Sequence, residues 1–164
     1  METPQPTDNH LWLRQLVGEW TSEMEASMSP DQPLIKTKGT ESVRSLGPLW
    51  IIGDGVGHMP DGEEGLMVLT LGYDIQAGQF VGSWVGSMMT YLWRYTGQLD
   101  EARRILTLDC EGPAMEDEGK SGKLGKYRDI HEIIDADHRT LRSQYQGPDG
   151  QWSEFMVAHY HRVK

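Results

Sequence analysis

From Gly18 the apolar positions recur at every second residue: Trp20, Met24, Ala26 and Met28 fall on one face, and Glu19, Thr21, Glu23 and Glu25 on the other. A period of two with one charged face is the pattern of a half-buried β-strand. Further runs follow at intervals of about ten residues, over 35–46, 49–56, 66–73, 79–88, 91–98, 103–110, 126–135, 139–146 and 152–162. Turn chemistry separates them, at Asp61-Gly62, Asp74 to Gly78, Asp135-Ala136-Asp137 and Gly147-Pro148-Asp149-Gly150. Connections this short favour antiparallel neighbours. A meander of about ten strands leaves no unpaired edge if it closes on itself. The pattern therefore predicts an all-β, up-and-down antiparallel barrel.

Before the first strand the period is different. Residues 1–7 carry Pro4 and Pro6 in a polar context and read as a frayed tail, after which Thr7 or Asp8 caps a short helix bearing Leu11, Trp12, Gln15 and Leu16. A helix of that length suits a plug for one barrel end. The division expected is a disordered tail over 1–8 and a single barrel domain over 9–164. Pro113 to Gly125, with little apolar content, reads as a mobile loop, and Asp54-Gly55-Val56-Gly57 as a bulge or turn.

Composition narrows the function classes. A formal charge of −10, from 25 acidic and 15 basic residues, repels nucleic-acid phosphates and anionic membrane, so neither is expected as a partner. No apolar run approaches the roughly 20 residues that span a bilayer, and Met1 to His10 lacks a signal pattern, which makes the cytoplasm the default location. Cys110 is the only cysteine, so an internal disulfide and a multi-thiolate metal site are excluded.

Candidate chemistry sits at interior-parity positions. Trp20 is expected to pack across the closed end and donate its N–H to a nearby carbonyl. Trp50, Trp84, Trp93 and Trp152, with Tyr73, Tyr91 and Tyr95, supply aromatic surface that either lines a pocket or fills the interior. The strand around Tyr127 has two mixed faces: Tyr127, Asp129, His131 and Ile133 on one, Arg128, Ile130, Glu132 and Ile134 on the other. Were the second to point inward, Arg128 and Glu132 would either brace the wall as a pair or bind a ligand. Glu41, alternating with Thr37, Gly39 and Val43, is a third candidate interior charge. On the last strand Trp152, Met156, Ala158 and Tyr160 share one face and Phe155, Val157, His159 and His161 the other. His159 and His161 read as a surface pair rather than a metal site, for want of a third ligand. The acidic groups Glu63-Glu64 and Glu116-Asp117-Glu118 read as solvated loop charge. No nucleophile elbow, phosphate-cradling loop or His-Glu-x-x-His stretch is present.

Gly18-Glu19-Trp20 after a short helix, Gly72-Tyr73-Asp74 followed by Phe80-Val81-Gly82-Ser83-Trp84, the Tyr127 to Ile133 strand, the Gly147 to Gly150 turn and the end Met156 to Arg162 together resemble the bacterial family called domain of unknown function 1579. The resemblance runs over residues 10–163 and implies a calycin barrel with an internal cavity, similar to lipocalins and fatty-acid-binding proteins. It carries no established activity and no catalytic residue. Fatty-acid-binding barrels hold a carboxylate with an Arg and a Tyr on the final strand, a pattern that Tyr160 and Arg162 match; nitrobindin-like barrels imply haem on an inward histidine, His159 or His161.

The function expected is binding of a small hydrophobic or carboxylated ligand inside the barrel by Glu41, Trp84, Trp93, Arg128, Glu132 and Tyr160, with no cofactor, and with homodimerisation through exposed Trp and Met. The alternatives are an enzyme acting on a small hydrophobic substrate in the same cavity, and a haem-binding barrel.

Overall fold

The computed structural model describes residues 1–27, 31–59, 61–117 and 119–164. Met28 and Glu118, singled out above, lie outside them. A short helix, α1 (Asp8–Leu13), and a single 3-10 turn (Arg14–Leu16) lead into ten strands: β1 (Gly18–Ala26), β2 (Ile35–Leu46), β3 (Trp50–His58), β4 (Glu64–Asp74), β5 (Gln79–Gly86), β6 (Trp93–Leu99), β7 (Ile105–Pro113), β8 (Leu124–Asp135), β9 (His138–Gln146) and β10 (Trp152–Arg162). Each strand pairs antiparallel with its neighbour in sequence, and β1 closes on β10, giving an up-and-down barrel. No helix among the described residues is long and apolar enough to cross a membrane.

Strands form where alternation is strongest. In β7, Leu106 and Leu108 are fully buried while Asp109 faces out, and in β4 Leu69 and Leu71 join Phe80 of β5 in the core. The ladder runs further than the composition suggests between β7 and β8. Gly112 pairs with Gly125 and Pro113 with Leu124, so the two ends of the stretch read as a loop are sheet and the connection lies between Pro113 and Leu124. Tyr127 fastens it by donating its hydroxyl to the Pro113 carbonyl at 2.5 Å.

α1 plugs one end. Trp12, Leu13 and Leu16 are buried against the core, and Trp12 packs edge-on to Phe80 at 6.2 Å. The backbone N–H of Thr7 donates to His10 Nδ1 at 2.9 Å, so Nδ1 accepts and Nε2 carries the proton that reaches the Tyr73 carbonyl at 3.0 Å. Trp12 Nε1–H donates at 2.7 Å to the carbonyl of Arg103, a residue held at φ +57 in the β6–β7 turn. The plug is thus hydrogen-bonded to the end of β4 and to the β6–β7 turn as well as buried.

Trp20 closes the same end from within. Its indole donates to the Leu16 carbonyl at 2.9 Å, and guanidinium groups cover both sides of it, Arg162 at 4.2 Å and Arg139 at 4.5 Å. Arg162 also donates to the carbonyls of Val17 (2.6 Å), Gln15 (2.8 Å) and Ala136 (3.0 Å). This spends it on closing the barrel, so the resemblance to an Arg and Tyr carboxylate clamp at Arg162 does not carry over.

Candidate functional site

One wall of the barrel is bare. β3 alternates Gly53, Gly55 and Gly57 with Asp54 and Val56, and its register sets Gly55 beside Glu41 of β2 and Met67 of β4, and Gly57 beside Gly39. The segment read as a bulge or turn is a regular strand whose inward positions are glycine. A cavity of about 110 Å³ lies against these glycines, bordered by Met67, Leu69 and Trp84 on the same side. A Cβ at Gly55 would stand 3.5 Å from Met67, an ordinary contact, so the space there is real rather than a backbone squeeze.

The facing wall is polar. Asp129 of β8 accepts the Tyr95 hydroxyl at 2.6 Å on one carboxylate oxygen and the Ser143 hydroxyl at 2.6 Å on the other. Burial inside the barrel raises the Asp129 pKa above the ordinary carboxylate value, against the lowering effect of those two donors. Burial raises Tyr160 and Tyr95 as well, so both hydroxyls stay protonated. Arg139 of β9, 3% exposed, donates through Nη2 to Glu41, and its guanidinium lies 4.0 Å from the Tyr160 ring. The pair bridges the barrel from β9 to β2.

Two buried atoms on residues that border this space have no hydrogen-bond partner among the described residues: Arg139 Nε and His131 Nδ1. His131 is 4% exposed, and desolvation, then the charge of Arg139, lowers its pKa from 6.5 to about 3. It is therefore a neutral imidazole. Thr140 Oγ1 is also buried without a partner among the described residues, but Thr140 pairs with Glu132 on the opposite parity and does not border this space. Cys110 is half-buried and its thiol is pushed up to about 12 by burial, so it supplies no thiolate.

Of the six residues expected at the site, Glu41, Trp84 and Tyr160 border the cavity. Trp93 sits elsewhere, stacked edge-on with Tyr127 at 4.9 Å and Tyr91 at 5.2 Å, with its N–H on Met89 Sδ at 3.1 Å. Arg128 and Glu132 point out of the barrel. The inward parity of β8 goes to Tyr127, Asp129, His131 and Ile133, opposite buried Leu108 and Leu106, whereas Arg128 and Glu132 oppose Asp109 and Ile105. An outward Arg128 keeps its hydration, pairs with Asp109 at 3.1 Å and covers the Trp152 ring at 4.0 Å. It borders an open surface trough of about 770 Å³ outside the barrel wall, with Arg94, Asp109 and Lys126 among its neighbours.

The last strand is broken in parity. A β-bulge between Glu154 and Met156 turns Trp152 outward while Ala158 and Tyr160 face in. His159 and His161 are then outside, where His138 Nε2 approaches His159 Nδ1 at 3.0 Å and the His138 and His161 rings stack at 4.6 Å. No group of three or more His, Cys, Asp or Glu among the described residues is arranged to hold a metal. These residues do not fit a haem either: the inward positions nearest β10's histidines are Ala158 and Tyr160, and the cavity is far below the roughly 300 Å³ or more of large-ligand sites.

Asp129 and His131 were visible in the sequence as one face of a mixed strand. Arg139 was not, because β9 is polar on both faces: Arg139, Ser143 and Tyr145 inside, His138, Thr140, Arg142 and Gln144 outside.

The family described as protein of unknown function (DUF1579) matches residues 5–162. The chain belongs to that family. Among solved structures, this DUF1579 protein is similar to Rv2717c from M. tuberculosis, with 12% identity, 98% of this chain and 100% of that chain covered and a TM-score of 0.65. It is also similar to the S-type phycobiliprotein lyase CPES from Guillardia theta, with 14% identity, 97% and 99% coverage and a TM-score of 0.60. At such identities the likeness is one of fold. No curated protein matches the sequence.

Proposed function

We propose that this DUF1579 protein binds a small, partly apolar molecule inside the barrel, between the glycine wall of β3 and the polar wall of β8, β9 and β10. The observation that carries the reading is the pair of unpartnered buried atoms, His131 Nδ1 and Arg139 Nε, beside an unfilled space. Leaving a buried polar group unsatisfied costs about 1–3 kcal/mol, so a cavity kept with two of them is built for something that satisfies them. Its 110 Å³ is of the same order as an apolar cavity of about 150 Å³ that holds benzene, so it suits a molecule of a few heavy atoms. The binding reading is preferred to catalysis because burial holds Tyr95 and Tyr160 protonated and, with the charge of Arg139, leaves His131 a weak base. The acidic composition accords with a cytoplasmic carrier or sensor that has neither nucleic acid nor membrane as partner.

Native mass spectrometry of protein purified from its own host tests this, alongside the variant Gly55→Leu, whose side chain would occupy the cavity. A small organic mass should accompany the wild type, leave on denaturation and be missing from a folded Gly55→Leu. Equal retention by the variant, or a bare polypeptide from the native host, sinks the reading.

A further inference from the structure

The charges around the cavity restrict what its occupant can be, given that a ligand binds there as proposed above. We infer that the occupant carries an uncharged hydrogen-bonding head, an amide or a comparable carbonyl group, and that the Glu41–Arg139 pair selects against carboxylates and ammonium ions.

Arg139 is the buried cation of the wall, and Glu41 already compensates it through a direct hydrogen bond. Its guanidinium faces are taken by Trp20 at 4.5 Å and Tyr160 at 4.0 Å, which holds it in place on the wall. A carboxylate head would have to displace Glu41 or lie beside it, with Asp129 on the same wall. An ammonium head would meet Arg139 and a neutral His131 at the two unpartnered atoms, since Glu41 is taken by Arg139 and the two Asp129 oxygens by the Tyr95 and Ser143 hydroxyls. Either brings a charge with no free partner into a low-dielectric interior, where an uncompensated charge is far costlier than an unsatisfied dipole.

The unused hydrogen-bonding capacity matches a neutral head. Arg139 Nε–H can only donate, so it requires an acceptor such as a carbonyl oxygen. His131 Nδ1 accepts or donates according to tautomer, so an amide N–H can satisfy it. The two residues are diagonal neighbours on adjacent strands, since His131 pairs with Leu141 and Ile133 with Arg139. One small head can therefore address both. The remaining lining, Met67, Leu69 and Trp84 over the β3 glycines, accommodates a short flat or aliphatic body.

Three probes sharing a carbon skeleton separate the possibilities: butyramide, butyrate and butylammonium, titrated at neutral pH into isotope-labelled protein and followed at Arg139 Nε–H, the Trp20 indole and the Gly55 amide. Butyramide should shift these resonances saturably, with each charged probe weaker by at least about tenfold. In Glu41→Gln the wall gains a net positive charge, and the order should reverse in favour of butyrate.

Butyrate binding the wild type as tightly as butyramide overturns the neutral head and leaves the cavity reading standing. No shift with any probe overturns both. A folded Glu41→Gln that still prefers butyramide overturns the selecting role of the ion pair; if that variant fails to fold, the wild-type ranking still decides the head group.

Discussion

Gly18, Trp20 and Arg162 form one unit at the closed end of the barrel, and Gly18 is the least replaceable of the three. It holds φ +141, and a Cβ there would stand 2.3 Å from Arg162 Nη1 and 2.9 Å from the Lys164 carbonyl. Strain at such a φ costs about 1–3 kcal/mol, and the clash would push Arg162 off the Trp20 ring. Gly18→Ala is expected to lower the urea midpoint by a corresponding amount, whereas Gly55→Ala, whose Cβ would make only ordinary contacts with Met67 and Thr40, should leave stability unchanged or slightly raised. Equal losses in the two variants would show that strand glycines matter here for backbone reasons alone. The Gly-x-Trp start of β1 thus has a steric explanation independent of any ligand.

Among the strands, β6 is the most weakly tied. Its pairing with β5 runs only from Phe80↔Gly97 to Trp84↔Trp93, and with β7 only from Thr96↔Asp109 to Leu99↔Leu106, while β1 pairs along its whole length with β2. Trp84, at the edge of this short seam, borders the cavity. Local opening draws on the regions with fewest cooperative contacts, so the β6 amides are expected to exchange hydrogen fastest among the ten strands. Bound ligand should slow them. Faster exchange in β1 or β10 would place the route to the cavity at the closing seam instead.

At the scale of the whole molecule, the polar wall makes global stability depend on pH. The unfolded chain protonates His131 near pH 6.5, while the folded barrel resists until about pH 3. Within that window the unfolded state holds the extra proton, so stability falls as pH drops, by at most about 1.4 kcal/mol per unit. Asp129 acts oppositely: its raised pKa gives the folded state the extra proton between the unfolded value of 3.8 and its own, so acidification there favours folding. His131→Gln removes only the first contribution. Relative to wild type, its urea midpoint should rise between neutral pH and about pH 4.5, and a constant difference would mean that His131 is not held neutral.

The alternating pattern along the chain was sufficient for the strand count, the antiparallel order, the helical plug and the carbonyl partner of Trp20, because each depends on short-range periodicity or on a residue with one place to go. It offered Glu41, Trp84 and Tyr160 as interior candidates while leaving the inward face of the last strand open, and the closed barrel is what sets all three beside the cavity. Strand parity failed where both faces are polar. Only the closed barrel decides that β8 turns Asp129 and His131 inward and Arg128 and Glu132 outward, because the choice depends on Leu106 and Leu108 across the ladder. Only the bulge at Glu154 to Met156 sends Trp152 and Tyr160 to opposite sides of one strand. The pairing of Arg139 with Glu41 joins residues far apart in the chain, and the cavity exists because inward glycines of β3 face them, a relation that no local pattern contains.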